Sequence, residues 1–581
     1  MTMMEWKKVP DGYRLMGAAY DVLFTQEGWP AIQISFDGRK IADLPLHGAV
    51  DRDGFHEQLT NFTWSFTPEG GILLKTQSSL WEEHGFLWSF QENGIRFRHL
   101  LKGEGRLDRC YFVSSGESDL FALGSSYGFF ANSQFYTQGY FSPAVNLANR
   151  HEFDIGEPNA VGLTPGEAEL GDTFVPAMSN DLFVPPLCYV FHTDSACMGI
   201  GIGARPGKYR FNDFRFSGVL YAGGAFWVDY LGYTSFADLQ ELPELFLCFN
   251  FDPYAVLQDY VKEIDLASYG TSFTHPRASW HNEPIFCGWS CQTSLASRGK
   301  ERLHARDLCT QENYEKWLKI LEDRGIDYGT LVIDDKWMKH YGTFTVDEEK
   351  WPDMKGFIRR CHEKGHHVLL WAPVLFTDGV PKEQCILDSD GNPLKANLAN
   401  GAYATLLREN FTYLIRDLDA DGFKEDLINC GMTERNLPGY GKYHGLEMLA
   451  AFQRLLYTSA HEAKADALVE TQTPNPMMRS TSDMLRLNDL WYGAHNVPEI
   501  MRIRARIAKI AGWRLIDCDD GGASGLKEWL DYARIQPELG VPSLYFAEET
   551  EATHERPTSA HWAYLADLWA NYRRSHVSDA H

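Results

Sequence analysis

The segment DADGFKEDLINCG, residues 419–431, decides how the second half of the chain is read. An apolar run ends on three charges in a row, Lys424, Glu425 and Asp426. Successive side chains of a strand point to opposite faces, so Lys424 and Asp426 share one face and Glu425 takes the other. If the pair looks into a pocket, Glu425 looks toward a packing layer. The same texture recurs on both sides of this segment. Strand-like runs occur at PIFCGWSC (284–291), YGTLVIDDKW (328–337), HHVLLWAPV (366–374), DGFKEDL (421–427), ADALVETQ (465–472), MLRLNDLW (484–491), WRLIDCDD (513–520) and PSLYFAEE (542–549). Helical patterns such as NYEKWLKILEDRG, FIRRCHEKG, LRENFTYLIRDLD and PEIMRIRARIAKIAG lie between most of them. Strands alternating with helices in this number and rhythm predict a (β/α)8 TIM barrel over residues 276–555, with a doubly wound open sheet as the alternative. No GxGxxG or GxxxxGK[ST] motif stands at a strand-to-helix turn, so no nucleotide and no other cofactor is implied.

Upstream, residues 1–275 carry short alternating, β-branched and aromatic runs separated by Gly, Asp and Asn, such as GWPAIQISFDGRKIADL, GGILLKTQSSLW and GIRFRHLLKGEG. These predict antiparallel strands and an N-terminal β-sandwich domain. DPYAVLQDYVKEIDLASYG (252–270) reads as an amphipathic helix and TSFTHPRASWHNEP (271–284) as a linker. A C-terminal helical tail is expected over residues 556–581, from SAHWAYLADLWANYRR.

The 79 acidic and 54 basic residues leave a net charge of −25, which repels phosphate backbones and anionic lipid, so nucleic acid is not an expected partner. The first residues, MTMMEWKKVPDGYRLMG, hold no apolar core of signal-peptide length, and no run is long and apolar enough to span a membrane. A cytoplasmic location is expected. The 11 cysteines show no CxxC spacing and read as buried thiols of a reducing compartment. Cys287 and Cys291, four apart, resemble half a zinc site, but no second Cys/His pair follows, so no metal is expected.

In a barrel the chemistry gathers at the C-terminal ends of the strands. Several proposed strands end on acids there: Asp334 and Asp335 on the second, Glu425 and Asp426 on the fourth, Asp489 on the sixth, and Asp517, Asp519 and Asp520 on the seventh. Such a group could hold Mg²⁺ for a lyase or isomerase. It could bind sugar hydroxyls while two members cleave a glycosidic bond, or it could be polar trim at strand ends. Trp289, Trp337, Trp371 and Trp491 stand near four strand ends, where they would form a stacking wall suited to a pyranose.

The stretch LVIDDKW…FTVDEEKWPDMKGFIRRCHEKGHHVLLWAPV (331–374) resembles the second-to-third strand region of the retaining α-glycosidases of clan D, glycoside hydrolase families 31 and 36. DGFKEDL is similar to their K-x-D nucleophile strand. NDLWYGAHNVPEIMRIRARIAKIAGWRLIDCDDGG resembles the family 31 run from the acid/base Asp to a later turn, and FYTQGYFSPAVNL (135–147) is similar to an aromatic loop of family 36 sandwiches. The resemblance implies Asp426 as nucleophile and Asp489 as general acid/base. It implies Asp334, Asp335 and Lys424 as sugar contacts, with Arg486 and Asp519 as further binding residues. It departs from the pattern in two places: the usual C-terminal β-domain is missing, and ETQTPNPMMRS replaces the Cys-Gly-Gly-Gly-Arg-type stretch on the fifth strand. The activity implied is retaining, exo-acting hydrolysis of a terminal α-linked sugar of galactose, glucose or xylose type. A non-catalytic carbohydrate-binding protein is the remaining alternative. Partners expected are an oligosaccharide or glycoside and a second copy of the chain in a homo-oligomer.

Overall fold

The computed structural model describes residues 5–25, 30–114, 186–192, 196–219, 223–298, 303–428, 442–487, 497–521 and 525–576, with short stretches at 116, 122–123, 128–131, 145–146, 159–162, 435, 437 and 523. The chain divides into two compact units. One comprises residues 1–271 with 429–448 and 475–477; the other comprises 272–428, 449–474 and 478–581.

The first unit is built from antiparallel sheets of six, nine and five strands among the described residues. Tyr20–Thr25 and Ala31–Phe36 bury alternate side chains, which is the period of a strand with one face on a core. Cys197–Gly203 differs in being buried throughout. Its glycines 199, 201 and 203 line one face, and a Cβ on them would collide with Val256, Tyr260 and Ile264 of the helix Pro253–Leu266. Those three residues stand one helical turn apart, so the glycines open a groove that the helix fills. The helix starts where Asp252 caps the Tyr254 amide and Pro253 supplies a preset φ.

The second unit is a parallel eight-stranded barrel. Its strands are β1 (Ile285–Cys287), β2 (Thr330–Ile333), β3 (His367–Pro373), β4 (Gly422–Asp426), β5 (Leu468–Thr471), β6 (Met484–Arg486), β7 (Ile516–Asp517) and β8 (Ser543–Leu544). From β1 to β7 each pairs in parallel with the next, and β8 pairs with β1. A parallel bridge between Asp517 and Val541 brings β7 to the approach of β8. The helices α1 (Trp289–Ser297), α2 (Gln311–Asp323), α3 (Met354–Glu363), α4 (Gly401–Arg416), α5 (Leu446–Ala463), α6 (Val497–Ile510), α7 (Leu526–Ala533) and α8 (Ser559–His576) are the longer ones of this part of the chain among the described residues. Side-chain caps start several of them, with Thr310, Asp353 and Asn400 accepting from backbone amides of the first turn.

All eight sequence-predicted runs enter the sheet, two of them nearly whole, as β3 and β4, and the others as shorter strands. The first shows why. Gly288 already has helical dihedrals and α1 begins at Trp289, so the strand expected to reach residue 291 stops at Cys287. An apolar run of this length carries no period that separates strand from helix. Gly422, at the head of β4, has φ +154°, and any Cβ there would strike the Leu468 carbonyl of β5. The glycine lets β4 pack backbone to backbone against its neighbour. No helix among the described residues is long and apolar enough to cross a membrane.

Candidate active site

At the ends of β2, β4, β6 and β7 the side chains form one connected network. Lys424 is buried, and its Nζ donates to Asp334 Oδ2 at 2.7 Å, with the Tyr545 ring centroid 5.0 Å away. The Cys287 thiol, on β1, donates to the same Asp334 oxygen at 3.1 Å, and the Asp335 amide donates to Oδ1 at 2.8 Å. Both oxygens of Asp334 are therefore held by protein donors. Burial alone would push Lys424 down, but Asp334 and the neighbouring acids hold it well above the usual lysine range, so it is a fixed cation.

Asp426 lies at the tip of β4 with its side chain 16% exposed. Arg486 Nη2 donates to Oδ1 and Trp371 Nε1 to Oδ2, each at 2.9 Å, and the Leu427 amide adds a bond at 2.8 Å. Burial works against its charge. The Arg486 and Lys424 cations and these N–H groups outweigh burial and hold the carboxyl below its ordinary value. Arg486 is itself fully buried on β6 and reaches Asp519 Oδ2 with Nη1 at 2.9 Å.

Asp335 is placed differently from Asp334. It is partly accessible, and its Oδ1 accepts from Tyr341 Oη at 2.8 Å. Desolvation and the charges of Asp334 and Asp426 raise it to about 7. Glu425 turns away from this group: its Oε2 accepts from Gln453 of α5 at 2.7 Å and from Thr471 at 2.7 Å, and burial pushes it to about 7. Trp337 is buried and donates to the Trp371 carbonyl at 2.8 Å, while Trp289 is half-buried and packs against the barrel core around Ile285 and Cys287. Asp489 and Trp491 fall in 488–496, and most of the aromatic loop 135–147 falls in 132–144; both segments lie outside the described residues.

A family model described as the glycosyl hydrolases family 31 TIM-barrel domain matches residues 299–424, the segment that runs through β2 and β3 into Lys424. This segment of the barrel resembles that of family 31 glycoside hydrolases. No curated protein matches the chain in sequence. Solved structures share the fold at low identity. A GH31 family sulfoquinovosidase from E. rectale is 14% identical with TM-score 0.57, over 99% of this chain and 85% of that one. A cycloalternan-degrading enzyme from Trueperella pyogenes is 14% identical with TM-score 0.52, over 96% and 74%. A cycloalternan-forming enzyme from Listeria monocytogenes is 11% identical with TM-score 0.52, and this chain spans 54% of its length.

The barrel also engages residues the sequence reading passed over. Glu470 on β5 is buried beside Arg486, with Nε 3.8 Å from Oε1, and neither of its carboxyl oxygens has a hydrogen-bond partner among the described residues. Burial raises both this carboxyl and that of Asp517. Cys287 and Tyr545 flank Lys424, and Tyr341 positions Asp335. Glu470 alone had a signal, as the single acid inside the apolar run ALVET. The two cysteines four apart diverge: Cys287 faces Asp334, whereas the Cys291 sulfur accepts from the Ala547 amide.

Proposed function

We propose that the chain is a retaining, exo-acting α-glycoside hydrolase, with residues 276–555 as the catalytic barrel, Asp426 as nucleophile and Asp489 as acid/base. The observation that carries this reading is the environment of Asp426. Its carboxylate is accessible at the barrel mouth, kept ionised by Arg486 and Lys424, and oriented by two N–H donors on separate elements.

In the first step Asp426 attacks the anomeric carbon as Asp489 protonates the leaving oxygen, giving a β-linked glycosyl enzyme and the free aglycone. In the second, Asp489 takes a proton from water, the hydroxyl adds to the anomeric carbon and the Asp426 ester bond breaks, restoring the α-anomer. Asp335 accepts a hydroxyl of the bound sugar through its second oxygen. Asp334 acts through Lys424, whose charge it fixes beside the nucleophile. Arg486 and Asp519 shape the other flank of the pocket; Trp371, buried beside the nucleophile, orients it through its indole N–H, and Trp491 supplies the apolar face for the ring. Two cations already sit among the carboxylates and supply the charge compensation a divalent metal would bring, which favours glycoside cleavage over the lyase reading.

The sugar is a terminal α-linked galactose, glucose or xylose of an oligosaccharide. The ten cysteines of the described residues are all buried free thiols, which supports a cytoplasmic setting, and a homo-oligomer is the expected assembly.

The test is trapping with 5-fluoroglycosyl fluorides, followed by mass spectrometry of the labelled peptide, and NMR of the anomer first released from aryl α- and β-glycosides. The aryl panel includes the α-sulfoquinovoside, and cycloalternan is tested beside it, because proteins sharing this fold are named for them. Label on Asp426 and an α-anomer are expected. A β-anomer, or label on another residue, overturns the assignment.

A further inference from the structure

At one end of the first unit, hairpin tips surround a hollow of about 560 Å³. Its most prominent feature is Phe251, 62% exposed, which rests on the buried Phe36 with ring centroids 4.8 Å apart. Around it stand Asp21, Asp37 and Asn93, whose side chains make no ion pair or hydrogen bond with the described residues, and Asn250, which is tied to Asp259. Among the described residues, no lysine or arginine lines the hollow.

We propose that this hollow is a binding site for a neutral oligosaccharide, separate from the catalytic pocket of the barrel. A pyranose has an apolar face of C–H groups and an equatorial belt of hydroxyls. Phe251 offers a flat ring for the face, and the free carboxylate and amide oxygens around it accept from hydroxyls. The acidic lining excludes phosphorylated or sulfonated sugars, and the volume suits a small ligand rather than a protein surface. The exposed ring is otherwise unexplained, since it sits where the hairpin tips Asp37-Gly38 and Asn93 are wholly polar. The assignment stands on this unit alone and holds whichever sugar the barrel cleaves.

The test is native affinity electrophoresis of the full-length protein in gels containing glycogen, dextran, pullulan or galactomannan, against the Phe251→Ala and Phe251→Trp variants. Retardation of the unaltered protein in at least one gel is expected. Phe251→Ala weakens apparent binding about tenfold, the effect of one lost stacking contact, and Phe251→Trp preserves or strengthens it. Aryl α-glycoside turnover stays unchanged in both variants, which separates this site from the catalytic one. Retardation in none of the gels, or retardation that survives Phe251→Ala, overturns the proposal.

Discussion

Arg486 Nη2 donates to Asp426 Oδ1 across 2.9 Å although sixty residues separate them in the chain. The same guanidinium holds Asp519 with its other nitrogen, so one planar cation fixes the orientation of two carboxyls. Lysine keeps the charge but cannot bridge both.

Arg486→Lys is therefore expected to weaken the depression of the Asp426 pKa. A depressed carboxyl keeps its charge down to a lower pH, and weakening its partner moves protonation upward. The acid limb of kcat/KM should shift up by about one pH unit. A pH–rate profile with an unmoved acid limb would show that Asp426 draws nothing from this contact.

The Lys424–Asp334 pair is buried on both sides, with side chains 3% and 4% exposed. Removing one partner leaves a bare charge in the interior, so Lys424→Met should destabilise the fold by about 3–5 kcal/mol in urea titrations. Lys424→Met combined with Asp334→Asn removes both charges and should recover most of that loss. Equal instability of the single and double variants would mean that packing, and not the stranded carboxylate, sets the cost.

Glu425 titrates near 7 in the folded chain against 4.5 as a free side chain. Its folded value is raised, so the native state is favoured fully below about pH 4.5 and loses that advantage as pH rises through about 7. Above that the ionised form costs about 3 kcal/mol. Glu425→Gln should raise the melting temperature at pH 8.5 and leave it little changed at pH 4.5. A stabilisation that is the same at both pH values would contradict the titration.

Asp489→Asn should turn over slowly on substrates that need leaving-group protonation. It should still form the glycosyl enzyme from an activated fluoride, whose leaving group needs no proton. Azide should then restore product formation as the α-glycosyl azide, read by mass spectrometry and NMR. Absence of both rescue and trapping would place the acid/base elsewhere.

The raised Glu470 carboxyl beside Arg486 gives a further check. Glu470→Gln mimics the protonated form and should keep the Arg486 geometry and most activity. Glu470→Lys places a second cation beside the guanidinium and should abolish folding or activity. Circular dichroism and aryl glycoside turnover distinguish the two variants.

The sequence by itself determined the rhythm of eight strand runs and the helices between them, because apolar period and capping residues are local properties. It also determined the split within Lys424, Glu425 and Asp426: the bonds to Asp334 and Arg486 lie on one side of β4 and those to Gln453 and Thr471 on the other, as alternation requires. Only the tertiary structure decided that Asp334 is locked beneath Lys424 while Asp335 stays accessible, that Glu470 joins the network, and that β1 ends at Cys287. Those facts depend on the register between strands distant in the chain, up to ninety residues apart for Lys424 and Asp334, and on which buried charges find partners. Register and charge pairing arise from contacts across the sheet, which the local sequence around Asp334 or Asp335 does not encode.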